Sequence, residues 1–406
     1  MISFSHVPVM LEECMQGLAL KAGGVYFDGT VGGGGHSYEI LKRTSPNGRL
    51  IATDLDDNAI AAATERLSEF AGRFAIYKSN YKAYESVLQK AGTDKLDGVL
   101  LDFGVSSFQL DEESRGFSYM KNAPLDMRMD PEAELTAEAV VNGYSEQELF
   151  RIIRDYGEEP FAKRIAANIV AERQKGRITD SAQLVAVIEK SIPAKFRHGA
   201  PFSRKTFQAI RIEVNDELDG LEETVRGLCR RLKKGGRICI LTFHSLEDRI
   251  VKNVFRELET DCICDKSLPV CVCGKKKEIT NITKKPLTAS QEEVRKNPRS
   301  KSAKLPVLER ERYAQRTTDR DLRAYGKLAG REEEQEMTEA QKALQFNAQI
   351  SDNYQRLINP EYGKEEEFVP EPQTAQEILF GVGHGQAQKS SGSAVNRAPA
   401  FEAPAA

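Results

Sequence analysis

A glycine-rich loop near the N-terminus limits most strongly how this chain can fold. The segment DGTVGGGGHS (residues 28–37) follows the apolar run VYF at 25–27. A second apolar run, LIAT at 50–53, ends at an acid, Asp54. A strand, a glycine loop, a helix, a second strand and an acid in this order are typical of a nucleotide-binding half-domain. The sequence therefore predicts a doubly wound α/β domain that begins close to residue 25.

The acids around the loop distinguish between nucleotide cofactors. The dinucleotide fingerprint G-x-G-x-x-G fails, because Ser37 stands where the third glycine belongs when counting starts at Gly32. Asp28 would repel a pyrophosphate, whereas it can pair with the cationic amino-acid end of S-adenosylmethionine (SAM), directly or through water. Asp54 lies where an acid accepts hydrogen bonds from ribose hydroxyls. The loop and both acids favour a SAM-dependent methyltransferase; the alternative is a tight turn that binds no ligand.

Length and composition fit a large protein of the cytoplasm. The chain has 406 residues, enough for two domains or for one domain with additions. It contains no run of about 18 apolar residues, and its first residues lack the pattern of a signal peptide. Its seven cysteines are expected to be reduced thiols or metal ligands. We predict a cytoplasmic protein without membrane contact, and a homodimer stays among the open oligomeric states.

The order of apolar segments predicts a core that is interrupted by an insertion. Residues 96–101 read as a buried strand that ends at Asp102, and the next convincing strand is 237–243. A crossover needs far fewer residues, so a helical domain is expected between them. We place the methyltransferase core in 1–110 and 206–310, the inserted helical domain in 111–205, and a charged helical C-terminal extension with a disordered tail in 311–406. Apolar residues at helical spacing over 207–228 predict one long helix that packs on the sheet.

Polar side chains follow two of the predicted strands at their carboxyl ends. Asp102 ends the strand 96–101, beside the expected cofactor and the atom that accepts the methyl group; the alternative is an acid that caps a helix or a turn. His244 follows the strand 237–243, and Ser245 with Asp248 is predicted to cap the next helix. Because both strand ends converge on one crevice, a functional site is favoured over purely structural roles.

Two further segments bear on binding partners: a basic segment and a group of four cysteines. Residues 275–310 contain 11 Lys and Arg against 4 acids, which suits binding to nucleic acid, although solvated charge runs are also common. The pairs Cys262-x-Cys264 and Cys271-x-Cys273 are expected to be four reduced thiols in a surface hairpin, so no metal ligand is assigned. The alternative is a Zn²⁺ site, for which C-x-C is an atypical spacing.

Six blocks of sequence together resemble the bacterial RsmH (MraW) family of small-subunit ribosomal RNA cytosine-N4 methyltransferases. They are DGTVGGGGHS, DFGVSSFQLD, RGFSY, PLDMRMD, FQAIRIEVNDEL and FHSLEDR, in the order that is typical of the family. The resemblance covers about 300 residues, from 6 to 305. It implies a class I SAM-dependent methyltransferase with a Rossmann-like doubly wound sheet. It further implies SAM contacts at Gly34, Gly35, His36, Asp54, Tyr81, Asp102 and Gln109.

The resemblance also implies a substrate, a cytidine of 16S rRNA in the decoding centre of the small ribosomal subunit. Asp102, or a backbone carbonyl near it, is expected to accept a hydrogen bond from the exocyclic N4. Phe108, Phe117 and Tyr119 are expected to stack on the base. Two alternatives stay open: a methyltransferase for a protein or small molecule, and a catalytically silent SAM- and RNA-binding assembly factor. Residues after about 312 have no counterpart in the family.

Overall fold

A seven-stranded sheet forms the centre of the computed structural model, which describes residues 8–106, 109–110, 112–197, 201–265, 267–268 and 271–311. Its strands are β1 (Val25–Asp28), β2 (Arg49–Asp54), β3 (Phe74–Lys78), β4 (Leu96–Asp102), β5 (Leu232–Leu241), β6 (Ile279–Asn281) and β9 (Val307–Arg310). The order is β3-β2-β1-β4-β5-β9-β6. Strands β1 to β5 are parallel to one another, whereas β9 is antiparallel to β5 and β6. A separate pair consists of β7 (Leu287–Thr288) and β8 (Lys304–Leu305).

The strand order creates a switch point between β1 and β4. The chain passes outward from β1 through β2 to β3 and then returns to the other side of β1 to form β4. The carboxyl ends of these parallel strands share one edge of the sheet, where open α/β folds bind their ligands. Asp28, Asp54 and Asp102 are the last residues of β1, β2 and β4. The predicted Rossmann-like, doubly wound α/β fold is confirmed.

Helices cover both faces of the sheet and fill the connection between β4 and β5. The side chains of β4 alternate: Val99 and Leu101 join the hydrophobic core on one face, and Leu100 joins the core on the other. The helices are α1 (Leu11–Leu18), α2 (Gly35–Arg43), α3 (Asp57–Arg66), α4 (Tyr84–Lys90), α5 (Ala137–Gly143), α6 (Glu146–Asp155), α7 (Ala162–Arg173), α8 (Ser181–Ser191), α9 (Arg204–Asn215), α10 (Leu221–Arg231), α11 (Ser245–Glu259) and α12 (Gln291–Lys296).

The insertion between β4 and β5 has a hydrophobic core of its own. Helices α5 to α9 bury Leu149, Ile152 and Ile153 of α6 together with apolar side chains of their neighbours. Helix α6 begins at a capping box: Ser145 Oγ accepts from the Glu148 N–H, and the Glu148 carboxylate accepts from the Ser145 N–H. The helical domain that the sequence predicts between the two strands therefore has both a core and a defined helix start.

The prediction of one long helix before β5 is wrong. Helix α9 ends at Asn215, before Asp216, which has a left-handed backbone (φ 49°), and α10 starts after Gly220, also left-handed (φ 65°). These two residues redirect the chain. Helix α9 consequently packs in the core of the insertion, and only α10 packs on the sheet. Gly235 and Gly236 follow α10 and lie inside β5, whose register against β4 shifts at this point.

Two sequence predictions concern membranes and the C-terminus. Among the described residues no helix combines the length and the apolar composition that crossing a bilayer requires. The predicted helical extension and tail fall, from residue 312 onward, outside the described residues.

Candidate active site

A cavity of about 840 Å³ opens at the carboxyl ends of the parallel strands. Its walls are the glycine loop after β1, the ends of β2 and β4, the loop after β5, and parts of the segments 117–119, 201–217 and 298–302. Six of the seven residues for which SAM contacts are expected line this cavity: Gly35, His36, Asp54, Tyr81, Asp102 and Gln109. The fold thus brings together side chains from five separate segments of the chain.

Gly34 is the expected contact residue that does not line the cavity. It precedes α2 in a left-handed conformation (φ 74°), and a Cβ placed on it would lie 3.1 Å from Cα of Ala63 in α3. Glycine is needed here for the backbone conformation and for the close approach of two helices. Gly34 therefore shapes the loop, while Gly32, Gly33 and Gly35 form the wall.

Asp28 supports the glycine loop from inside the protein. Its carboxylate accepts hydrogen bonds from the Thr30 N–H at 3.1 Å and from the Ser37 hydroxyl at 2.6 Å. The side chain is buried, does not line the cavity, and has its pKa raised to about 6 by that burial. The direct contact to a ligand that we considered for Asp28 is not available in this arrangement. The acid instead fixes the turn between β1 and α2.

Asp54 presents a carboxylate that backbone N–H groups hold in place. Its Oδ2 accepts from Gly32 at 2.8 Å, and its Oδ1 accepts from Leu55 at 2.8 Å and from Asp56 at 3.0 Å. Burial raises the pKa of Asp54, and these N–H groups oppose the rise. These three contacts fill both lone-pair sites of Oδ1 and one of the two on Oδ2, so Oδ2 keeps acceptor capacity. The arrangement suits a ligand whose hydroxyl groups approach this oxygen.

Asp102 faces the cavity beside a histidine that cannot neutralise it. His36 Nε2 lies 3.0 Å from the carbonyl oxygen of Val9, which only accepts, so Nε2 carries the proton. Burial lowers the pKa of His36 to about 4, so its ring is uncharged at neutral pH. Asp102 Oδ1 is buried without a hydrogen-bond partner, and Oδ2 lies 3.9 Å from His36 Nδ1. Burial, and then the charges of Asp28 and Glu247, raise the pKa of Asp102 to about 8. A ligand that is cationic or that donates a hydrogen bond would supply the partner that this carboxylate lacks.

Tyr81 and Gln109 contribute to the cavity wall through packing and through hydrogen bonds within the protein. The Tyr81 ring packs against Phe103 with centroids 5.6 Å apart, and burial raises the pKa of its hydroxyl. The Gln109 amide nitrogen donates to Asp56 Oδ2 at 3.2 Å and to the Met129 carbonyl at 3.3 Å. Both amide hydrogens of Gln109 are therefore used within the protein. The side chain ties the loop after β4 to the start of the insertion.

Two further acids line the cavity, Glu217 and Glu247, and sequence reasoning missed both. Glu247 is buried with its carboxylate 3.1 Å from His244 Nε2, and Glu217 is paired with Arg211. Although burial raises the pKa of Glu247, hydrogen bonds from His244 and from the Phe243 N–H bring it below its usual range. His244, and not Ser245 with Asp248 as predicted, caps α11 through a reciprocal contact with Glu247. The signal was an acid three residues after the residue that precedes the helix.

Aromatic and basic side chains also line the cavity. Phe117 and Tyr119 line it, with the Tyr119 ring 5.8 Å from that of Phe207. Arg204, Arg299 and Lys301 line it as well, the last two from the predicted basic segment. Phe108, the third aromatic residue expected to stack on a base, lies outside the described residues. The cavity wall thus combines acids at the strand ends with cations and aromatic rings.

Comparison with known proteins supports a single family. The model of the MraW methylase family matches residues 3–311. Ribosomal RNA small subunit methyltransferase H of Lachnospira eligens is 54% identical over 310 residues, which are 76% of this chain and 98% of that protein. The protein of the same name in Clostridioides difficile is 53% identical over 310 residues, 76% of this chain and all of that protein. The chain belongs to the MraW methylase family.

Proposed function

We propose that this protein transfers a methyl group from SAM to the exocyclic N4 of a cytidine in the decoding centre of 16S rRNA. The observation that carries the methyltransferase assignment is the pair of acids at neighbouring strand ends. Asp54 is held by three backbone N–H groups, and Asp102 has an oxygen without any partner. The names of the relatives support ribosomal RNA of the small subunit as the substrate. The choice of N4 and of the decoding centre rests on the motif resemblance.

The cofactor contacts follow from the donors and acceptors of the cavity. SAM, when bound, supplies an electrophilic methyl group on a sulfonium centre. Asp54 accepts hydrogen bonds from the ribose hydroxyls, and the glycines at 32, 33 and 35 let the backbone approach without a Cβ. Asp102 provides negative charge for a ligand that is cationic. Gly35, His36, Tyr81 and Gln109 complete the wall, and Gly34 acts through the shape of the loop.

Asp102 is our candidate for the group that prepares the acceptor nitrogen. The lone pair of cytosine N4 is delocalised into the ring, so this nitrogen is a poor nucleophile. A carboxylate that accepts a hydrogen bond from N4 aligns the amino group and localises its lone pair. The partly exposed side chain of Asp102, 26% accessible, lies at the cavity wall where this contact is feasible. The N4 proton leaves to water after the methyl group has been transferred.

The insertion and the basic segment serve substrate binding in this proposal. A base inside an RNA helix cannot reach a cavity of this kind, so the target nucleotide must be splayed out. Phe117 and Tyr119 offer rings for stacking, and Arg204, Arg299 and Lys301 offer charge for phosphates. Phe117 and Tyr119 belong to the insertion between β4 and β5. Binding should weaken as salt increases, since phosphate contacts release counterions.

Transfer of labelled methyl from SAM to purified particles tests the proposal. The substrates are small ribosomal subunits from cells that lack this gene, with large subunits and the ribosomal protein fraction as controls. We expect label in the RNA of small subunits only. Label in protein would favour the alternative of a protein methyltransferase. SAM binding without incorporation into any fraction would favour the catalytically silent assembly factor.

A further inference from the structure

Four cysteine sulfurs converge outside the cavity, in the loop that joins α11 to β6. Cys262 and Cys264 come from the first part of this loop, and Cys271 and Cys273 come from the last part. Their Sγ atoms all lie within 4.8 Å of one another. The sequence alone favoured reduced thiols in a hairpin, but the described residues from 260 to 278 form no strand. The fold instead gathers two separate pairs of sulfurs at one point.

The distances between the sulfurs match a tetrahedral metal site. Sγ of Cys271 lies 3.5 Å from that of Cys273 and 3.9 Å from that of Cys264, and Cys273 Sγ lies 4.0 Å from Cys262 Sγ. A tetrahedral Zn²⁺ with Zn–S bonds of about 2.3 Å separates its sulfurs by about 3.8 Å. A disulfide bond would bring two of them to about 2.05 Å. The spacing therefore fits four ligands around an ion rather than two covalent bridges.

Backbone N–H groups of each cysteine pair point at the sulfurs of the other pair. Ile263, between the first two cysteines, donates to Cys273 Sγ at 3.4 Å. Val272, between the last two, donates to Cys264 Sγ at 3.3 Å. Hydrogen bonds of this kind stabilise thiolates, which are the form of cysteine that binds metal. The reciprocal arrangement orients the two halves of the cluster toward one centre.

The apolar side chains that the structure describes in this loop are exposed. Ile263, Leu268 and Val272 are 70%, 40% and 75% accessible, so these three do not form a core. The loop closes at its base, where the Glu278 N–H donates to the carbonyl of Leu258 at 2.8 Å. A long loop without a core or regular structure is ordered more readily by a cross-link.

From this geometry we propose that Cys262, Cys264, Cys271 and Cys273 bind one structural Zn²⁺. Four protein ligands leave no open coordination position, as is typical of structural and not catalytic zinc. Binding converts four thiols to thiolates and releases four protons, so the centre carries a charge of −2. Lys275 and Lys276 follow one residue after Cys273 and can balance that charge. The ion would fix the entry of the chain into the basic segment 275–310.

Metal analysis of the full-length protein tests the proposal directly. Protein purified with reductant, without added chelator, should contain about one zinc per chain by elemental mass spectrometry. Exchange for Co²⁺ should give the visible and thiolate charge-transfer absorption of a tetrahedral sulfur site. Iron instead of zinc, or no bound metal, would overturn the proposal. So would mass-spectrometric detection of disulfides among these cysteines in the freshly purified protein.

Variants separate this cluster from the other thiols. The double variant Cys262→Ser with Cys271→Ser removes one ligand from each pair, and zinc content should fall by about 10-fold or more. Cys229→Ala is the matched control, because Cys229 is buried in the core against the sheet and should leave the metal content unchanged. Retention of a full equivalent by the double variant would contradict the assignment. The wild-type Co²⁺ spectrum keeps the test decisive even if the double variant does not fold.

Discussion

Nδ1 of His36 lies 3.9 Å from Oδ2 of Asp102, too far for a hydrogen bond and with the ring uncharged. The neighbour that is best placed to balance Asp102 therefore does not do so. Oδ1 of the same carboxylate is buried without a partner. Leaving a buried carboxylate unpaired is costly, so its place at the wall of the cavity indicates that a ligand completes it.

Replacing Asp102 with Asn should abolish most of the activity while the fold is kept. Asn has nearly the same shape but no charge, so we expect methyl transfer to fall by about 100-fold or more. Asp97→Asn is the matched control, since it alters an acid near the other end of the same strand, where Asp97 pairs with Lys233. Single-turnover rates with small subunits measure the effect. Equal rates for Asp102→Asn and wild type would exclude an essential role.

SAM binding should release a proton through Asp102. The pKa of about 8 means that Asp102 is mostly protonated at neutral pH, and a bound cation lowers that pKa. SAM affinity should therefore increase as pH rises toward about 8. The stability of the ligand-free protein should change in the opposite direction. Folded Asp102 keeps its proton up to a pH of about 8, whereas the unfolded chain loses it near pH 4, so the contribution of Asp102 to the free energy of unfolding falls as pH rises between these values.

Calorimetry of SAM binding in buffers with different ionisation enthalpies measures this proton directly. Wild type at neutral pH should release close to one proton per SAM bound. The Asp102→Asn variant should release none if it still binds SAM. Identical proton release by both proteins would assign the titration to another group.

Asn215 should matter for catalysis through the position of one loop. Its side chain accepts from the Met129 N–H at 2.6 Å and donates to the Met127 carbonyl at 2.7 Å, which fixes the loop at the cavity wall. Asn215→Ala should lower methylation of subunits by about 10-fold, because a misplaced loop costs alignment. Asn142→Ala is the matched control. The wild-type Asn142 side chain also forms hydrogen bonds with backbone groups, those of Glu138 and Ile178, but it does not line the cavity. Equal activity of the two variants would contradict this role.

Lys301 should contribute to RNA affinity without affecting SAM. It lines the cavity from the basic segment, and removing one phosphate contact should lower the slope of log affinity against log salt by about 1. Lys301→Ala is compared with Lys296→Ala, whose lysine pairs with Glu292 on the surface of α12. Filter binding of small subunits over a salt series gives both slopes. An unchanged slope for Lys301→Ala would place the phosphate contacts elsewhere.

The sequence predicted which acids lie at the strand ends, but it did not predict the direction of every side chain or its hydrogen-bond partners. Asp54 and Asp102 follow buried strands, and parallel topology brings such strand ends to one edge. The same reasoning placed Asp28 at that edge, but the side chain turns inward to Thr30 and Ser37. Side-chain direction at the last residue of a strand depends on the turn that follows, and strand patterns do not contain this information.

Helix ends were the other source of error. A continuous apolar period across 207–228 hides the break between α9 and α10, because it depends on left-handed backbone at Asp216 and Gly220. Histidine is an unusual helix cap, so the pairing of His244 with Glu247 went unnoticed. The convergence of four cysteine sulfurs likewise depends on the path of a loop.

Nucleoside analysis of the methylated RNA tests the central claim most directly. Small subunits from cells without the gene are methylated in vitro, and the 16S rRNA is digested and examined by mass spectrometry. The account predicts N4-methylcytidine, confined to the fragment that contains the decoding centre and absent when Asp102→Asn replaces the wild type. Methylation on a ring carbon, on another base or outside that fragment would contradict the proposed reaction.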